Sequence, residues 1–440
     1  EAGSGSDALA AATRATLSHD GRHYLLNGSK QFITNAAFAD VFIVFAKVDG
    51  DKFTAFIVDR TSPGFQVGPE EHKMGIRGSS TCSLTLEDVR VPAENLLGEI
   101  GKGHRIAFNT LNIGRMKLGV GTIGACKTSL AVAARYAKER QQFGRPIASF
   151  GLVGKKLAEM AIATFVGETM GYRTTGLVDE RLAAAQDDAA RVAGIEEYTG
   201  EASIIKVFGS EALGYCADEC VQIHGGYGFI EEYEAERMLR DSRINRIFEG
   251  TNEINRLIVP GTILKRAMKG ELPLMTVAMD LRRRLATGDL PGPGTGPLAT
   301  EIQVAERSKW LALYVTSVAV ETYQLRVADQ QEVLGEIADM ISAVYALDSV
   351  VTRTAQVLGD PGLDETTKST VSDLLCAYAP TAHGQVAAAA RRVLMDILDE
   401  GALGPHLAAI DALRLMWPAK VLEAKRRIAQ RVLEKDGYPL

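Results

Sequence analysis

The chain has 440 residues, 46% hydrophobic and 24% charged, enough for two or three globular domains with substantial cores. Its 49 basic and 55 acidic side chains leave a net charge of −6 without a basic stripe, which argues against nucleic acid as a partner. No apolar run has the length of a membrane span, and five cysteines, an odd number, make no disulfide framework and fit a reducing compartment.

The chain opens on EAGSGSD, turn-rich and without methionine or targeting pattern, a start better suited to the middle of a protein; we expect an upstream segment. Residues 8 to about 95 read as β structure. RHYLLNGSKQFITN alternates around Asn27-Gly28, which predicts a hairpin turn there; as a glycosylation sequon the same letters lack a secretory context. VFIVFAKVDGDKFTAFIVDR predicts two strands joined at Asp49-Gly50, and STCSLTLEDVRVP another strand closed by Pro92.

From about 100 to 265 the apolar period changes to that of long helices. GVGTIGACKT, from Gly119 to Thr128, spells G-x-G-x-x-G and nearly a P-loop. Both motifs need a strand running into a glycine turn, whereas Ile106, Leu111, Ile113, Leu118, Ile123, Leu130 and Val132 recur mainly at helical spacing. The glycines are therefore expected inside a helix, where close helix–helix contact offsets their cost. Further helices are expected after FGRPIASF, over GEASIIKVFGSEALGYCADECVQI and after Gly250. Cys216, Cys220 and His224 lie at helical spacing; a metal site is conceivable, but buried small hydrophobes fit better because no fourth ligand follows.

A breaker-rich linker, 266–300, precedes further helical segments that read as a small bundle whose apolar faces need each other or a second subunit. Within it, LMTVAMDLRRRLA reads as a short basic amphipathic helix, either touching a membrane surface or docked on its neighbour, the reading preferred here.

The most informative stretch is RDSRINRIFEGTNEINRLIV. Glu249 stands between an apolar run and Gly250, just before a helix expected from about Thr251. A helix N-terminus favours the carboxylate, while burial against an apolar ligand disfavours it. That balance suits a general base removing a weakly acidic carbon proton, and it equally suits a plain capping carboxylate.

EAGSGSD, LNGSKQFITN, RQQFGRP, FGSEAL, QIHGGYGF and LRDSRINRIFEGTNEI, in the order strand region, helical region, EGTN, together resemble acyl-CoA dehydrogenases over residues 1 to about 265. The tail resembles the very-long-chain branch, with its extra C-terminal helical domain. The implied fold class is α+β, acyl-CoA dehydrogenase-like: a middle β domain over 1–98, a helical bundle domain over 99–265, the linker, and an additional helical domain over 301–440.

The resemblance implies FAD-dependent α,β-dehydrogenation of an acyl-CoA, with electrons passed to an electron-transferring flavoprotein. Glu249 matches the glutamate that takes the pro-R proton from Cα while a hydride leaves Cβ for the flavin. The Glu249 amide, just before Gly250, and the flavin ribityl chain are the implied donors to the thioester oxygen. Gly5 and Ser6 are implied near the substrate and flavin phosphates. Phe32, Ile33 and Thr34 are implied along the isoalloxazine, with Thr251 and Glu253 also touching FAD. Arg140, Gln142, Phe143, Gln222, Gly225 and Gly226 are implied to reach the neighbouring subunit's FAD, in a homodimer. Read alone, Arg140 is a helix-end charge and the glycines a turn. Asn112 and Arg115 match a segment lying along the acyl-CoA; a helix-surface arginine is the alternative for Arg115.

The chain also departs from the family pattern. Phe32 stands where many members carry tryptophan, and Phe150-Gly151 replace a segment that commonly ends in glutamine. Pro260-Gly261 interrupt a helix that members continue, so a kink is expected. The family's upstream helical domain is not in this sequence. The alternative functions are an acyl-CoA oxidase of the same fold and a binding or assembly protein that retains it. The expected setting is bacterial cytoplasm or mitochondrial matrix, with a peripheral membrane contact through the C-terminal region as the less favoured alternative to a fully docked tail.

Overall fold

The computed structural model describes residues 1–440 except Pro291 and Pro293, which belong to the expected linker. The chain forms two compact units, residues 1–113 and 114–440.

The first unit is built on a mixed sheet of seven strands: β1 (Arg14–Leu17), β2 (His23–Thr34), β3 (Val41–Val48), β4 (Lys52–Asp59), β5 (Phe65–Glu70), β6 (Thr81–Pro92) and β7 (Leu96–Leu97). Their order is β5-β6-β2-β1-β3-β4-β7, antiparallel except for β1 beside β3. Alternation puts Tyr24, Leu26, Phe42, Val44, Phe56, Val58, Leu84 and Leu86 into one apolar core. The β3–β4 hairpin turns at Asp49 and Gly50, both left-handed (φ 49° and 88°), as the Asp-Gly pair predicts.

Asn27-Gly28 is not a hairpin turn. β2 runs straight through it, and β6 pairs along both sides with a register shift between Leu26 and Gly28. Pairing to β1 and β6 overrides the turn propensity of the two residues. Gly28 admits the neighbouring strand: a Cβ there would stand 2.8 Å from Cα of Thr13. The Asn27 side chain bonds Asp88, donating to its carboxylate and accepting from its N–H, both at 2.9 Å.

Helix α1 (Gly103–Glu139) begins in the first unit and supplies the start of the second. A two-strand ribbon, β8 (Gln141–Gln142) and β9 (Arg145–Pro146), leads to α2 (Gly151–Ala183). Then come α3 (Asp188–Glu197), α4 (Thr199–His224), α5 (Glu234–Ser242) and α6 (Asn252–Met268). The chain continues with α7 (Leu274–Thr287), α8 (Ala299–Tyr323), α9 (Gln331–Gly359), α10 (Glu365–Ile397), α11 (Glu400–Leu413) and α12 (Val421–Glu434).

The G-x-G-x-x-G glycines all lie inside α1, as the helical period predicts. They do not share one role. A Cβ on Gly119 would fall 2.8 Å from the carbonyl oxygen of Ile205, and one on Gly209 would fall 3.2 Å from Cα of Gly119, so α1 and α4 touch backbone to backbone there. Gly121 and Gly124 face open space.

One core joins Ile123, Leu130, Leu157, Phe165 and Cys216 to Leu347, Val350, Leu374, Ile428 and Val432, so the tail helices bury their apolar faces against the preceding helices as well as one another. A second core gathers Leu281, Trp310, Leu311, Met340, Leu394 and Leu413. Helix α7, within the expected linker, docks through Leu281, and Arg284 stacks 4.4 Å over the Trp310 ring. Among the described residues no helix is long and apolar enough to cross a membrane. Pro260-Gly261 do not end α6, which runs on to Met268 with Pro260 buried in it; packing holds the helix across the lost main-chain donor.

Candidate active site

The site is built around the turn that delivers the chain into α6. Thr251 is the N-cap, its Oγ1 accepting from Ile254 N–H at 3.2 Å. Glu249 is therefore not the cap. It sits two residues earlier in a left-handed conformation (φ 58°), followed by Gly250, also left-handed (φ 79°). A glutamate in that region costs on the order of 1–3 kcal/mol and persists only where its surroundings impose it.

Three buried side chains impose it by taking successive carbonyls of the turn. Arg115 of α1, 6% exposed, donates from Nε to the Glu249 carbonyl at 3.2 Å. Lys206 of α4, fully buried, donates from Nζ to the Gly250 carbonyl at 2.7 Å and to Oδ1 of Asn252 at 2.8 Å. Asn255 donates to the carbonyls of Glu249 (3.3 Å), Gly250 (2.8 Å) and Thr251 (3.0 Å). Asn252 in turn donates to Ser210 (3.1 Å) and Glu211 (3.0 Å). Arg256 clamps the same helix, reaching Glu211 on α4 at 2.8 Å and Asp339 on α9 at 2.8 Å.

The Glu249 carboxylate lies against the backbone of Gly114, where any Cβ would stand 2.7 Å from its Cδ. Burial raises its pKa, partly offset by the positive charges of Arg115 and Lys206. Burial conversely lowers both cations, Lys206 to about 8. Glu253, on the exposed side of α6, is held low by its own amide in the first turn. The arrangement is a half-buried carboxylate on a rigid turn, less acidic than usual and flanked by two cations. Such a group can accept a proton from a weak acid at neutral pH.

A second constellation of this unit surrounds a cavity of about 500 Å³ lined by Tyr136, Arg140, Gln142, Ile147, His224, Gly225, Gly226 and Tyr227, among others. Four of the six residues expected at a neighbour's FAD thus meet at one opening. Gln222 and Phe143 are exposed, Phe143 at 89%, but do not line it. Arg140 holds its guanidinium 5.4 Å over the Tyr227 ring. Gly225 is left-handed (φ 60°) and ends α4, and no atom stands within 4 Å of where a Cβ on Gly225 or Gly226 would lie. His224 stacks on Tyr136 and bonds the Cys220 carbonyl through Nδ1 at 2.7 Å. Cys216 and Cys220 are buried in the core, and no cluster of three metal-ligating side chains occurs among the described residues.

In the first unit, Gly5 and Ser6 are exposed. Phe32 occupies a bulge between the Lys30 and Ile33 pairings of β2, left-handed (φ 57°) and 66% exposed. The bulge turns an aromatic ring outward that regular alternation would not. Ile33 and the exposed Thr34 pair with Cys82 and Thr81. Asn112 is buried.

Lys206 escaped sequence reading. The available signal was its setting, ASIIKVF, a lysine inside a run of small and apolar residues that a helix would bury. A charge that a helix buries among Ile204, Ile205 and Val207 needs a partner at the far end.

Residues 1–89 match the model of the acyl-CoA dehydrogenase middle domain, and residues 101–264 and 307–410 match two models each described as an acyl-CoA dehydrogenase C-terminal domain. The whole chain is 48% identical to a probable acyl-CoA dehydrogenase of Bacillus subtilis, covering 74% of it. Over 82% of its length the chain is 37% identical to the very long-chain specific acyl-CoA dehydrogenase of Bos taurus, and there it spans 57% of that relative. The crystal structure of acyl-CoA dehydrogenase complexed with FAD from Bacillus anthracis superposes at a TM-score of 0.97 and 49% identity, over 100% of this chain and 76% of that one.

Proposed function

The chain belongs to the acyl-CoA dehydrogenase family, and from that premise we propose that it converts a long-chain fatty acyl-CoA to the trans-2-enoyl-CoA with FAD as cofactor. The observation that carries this reading is the Glu249 turn: a carboxylate raised by burial, locked in a left-handed conformation by Arg115, Lys206 and Asn255.

In this reading Glu249 removes the proton from Cα of the thioester. Its main-chain N–H donates to the thioester oxygen, which makes that proton removable. Arg115 and Lys206 hold the turn that aims both groups, and their charges keep the carboxylate ionised against its burial. Asn112, Gly250 and Ser6 are assigned to the acyl-CoA, and Arg115 faces it as well.

The residues present fit FAD. Arg140 offers a fixed positive charge at the cavity mouth, and Gly225-Gly226 offer bare backbone for close approach to a phosphate. Gln142 at the same cavity, with Phe143 and Gln222 outside its lining, is assigned with them to the FAD of a second copy in a homodimer. Phe32, Ile33, Thr34, Gly5, Ser6, Thr251 and Glu253 hold the chain's own FAD. When bound, the flavin supplies the acceptor for the hydride from Cβ.

The very-long-chain relative favours long acyl chains, and an electron-transferring flavoprotein is the proposed acceptor. A bacterial cytoplasm or mitochondrial matrix suits this chemistry. The test is anaerobic mixing of the FAD-loaded protein with acyl-CoAs of graded length. Flavin bleaching with enoyl-CoA formation, strongest for long chains and slow to reverse in air, is the expected result. Rapid reoxidation releasing peroxide would make it an oxidase instead. Failure of every acyl-CoA to bleach bound FAD would leave a binding protein.

A further inference from the structure

We propose that Lys206 is a positioning residue of the dehydrogenation: acting through the Gly250 carbonyl and by its charge, it fixes the orientation and ionisation of Glu249. This rests on the reading of Glu249 as the base.

The placement of Lys206 is hard to explain by stability. Burying an ammonium is costly, and its two hydrogen bonds go to neutral acceptors, the Gly250 carbonyl and the Asn252 side chain, not to a carboxylate. It also stands at the N-terminal end of α6, where the helix dipole opposes a cation. An apolar side chain of the same length would fill that space at no such cost. What the lysine does supply is a charged donor to the carbonyl that follows the strained Glu249. With Arg115 on the Glu249 carbonyl and Asn255 shared across the carbonyls of Glu249, Gly250 and Thr251, the lysine completes the set of donors that holds the peptide carrying the base in its left-handed conformation.

The charges facing Lys206 are Arg115 from α1, Glu211 from its own helix, Glu249 in the turn and Glu253 at the start of α6. Among them Lys206 and Arg115 are the two cations that lower the Glu249 pKa against burial. Loss of the lysine charge therefore raises that pKa and leaves less carboxylate at neutral pH.

The test compares FAD-loaded wild type, Lys206→Met, Lys206→Gln and Glu249→Gln in anaerobic flavin reduction by a long-chain acyl-CoA across pH. Lys206→Met is expected to keep FAD and acyl-CoA affinity while reduction slows by roughly 10- to 100-fold, with its acid limb moved to higher pH. Lys206→Gln, which retains a donor, is expected to move the limb equally but to lose less rate. A wild-type rate and limb in both lysine variants would overturn the proposal. So would failure of both to yield soluble FAD-loaded protein, which would assign the lysine to the fold. Glu249→Gln separates the two levels: if it reduces flavin as fast as wild type, the assignment of the base fails, whatever the lysine variants do.

Discussion

The Nε of Arg115 donates to the main-chain carbonyl of Glu249 at 3.2 Å, across 134 positions of sequence. The helix that carries the arginine thereby grips the backbone of the candidate base, while its positive charge faces the carboxylate. Replacing Arg115 with methionine keeps most of the buried volume and removes both effects. Flavin reduction is expected to fall about 10- to 100-fold, the worth of one or two charged hydrogen bonds. Titration of bound FAD and rapid-mixing absorbance check this, and an unchanged rate would detach Arg115 from the site.

Gly114 separates activity from stability. It lies in α1, so alanine there favours the helix by about 1 kcal/mol. The added Cβ would meet the Glu249 carboxylate, the movable end of a side chain, and push it aside. Gly114→Ala is expected to melt at or above the wild-type temperature while losing most of its flavin reduction, with calorimetry and rapid mixing as the paired readouts.

The pH dependence follows from the direction of the Glu249 shift. Catalysis needs the carboxylate, and burial moves its pKa above the ordinary 4.5. The rate of flavin reduction is therefore expected to fall by about tenfold per pH unit below a midpoint lying above that value. Removing the Arg115 charge moves the midpoint higher still, because a cation that favoured the anion is gone. A midpoint at or below 4.5 would show the carboxylate to be solvated instead.

The three glycines that imitate a nucleotide motif give a stability contrast. Gly119→Val drives a side chain into the α1–α4 contact and is expected to cost about 1–3 kcal/mol. Gly121→Ala and Gly124→Ala face open space and are expected to stabilise by up to about 1 kcal/mol. Neither alanine is expected to change the FAD content. Loss of flavin in either one would restore a nucleotide role to the stretch.

The same contrast shows where sequence was legible. Period alone placed the long helices and rejected the glycine decoy, because a buried helix face must repeat every three to four residues. Asp49-Gly50 announced its hairpin through two left-handed residues that few other pairs tolerate. Asn27-Gly28 has the same local preference and was misread, since its neighbours β1 and β6 are far away in sequence and impose a straight strand. Pro260 is carried inside α6, where packing absorbs the local cost of its missing donor. Glu249 was visible beside its helix start, but the donors that hold it, Arg115 and Lys206, come from α1 and α4. The outward ring of Phe32 depends on a bulge that no alternation pattern encodes.

The most direct measurement is the flavin absorbance of Glu249→Gln, loaded with FAD and mixed anaerobically with a long-chain acyl-CoA that bleaches the wild type. The amide keeps the size of the side chain and loses the proton acceptor. The expected result is a bound, spectrally perturbed flavin that stays oxidised. Bleaching at the wild-type rate would contradict it.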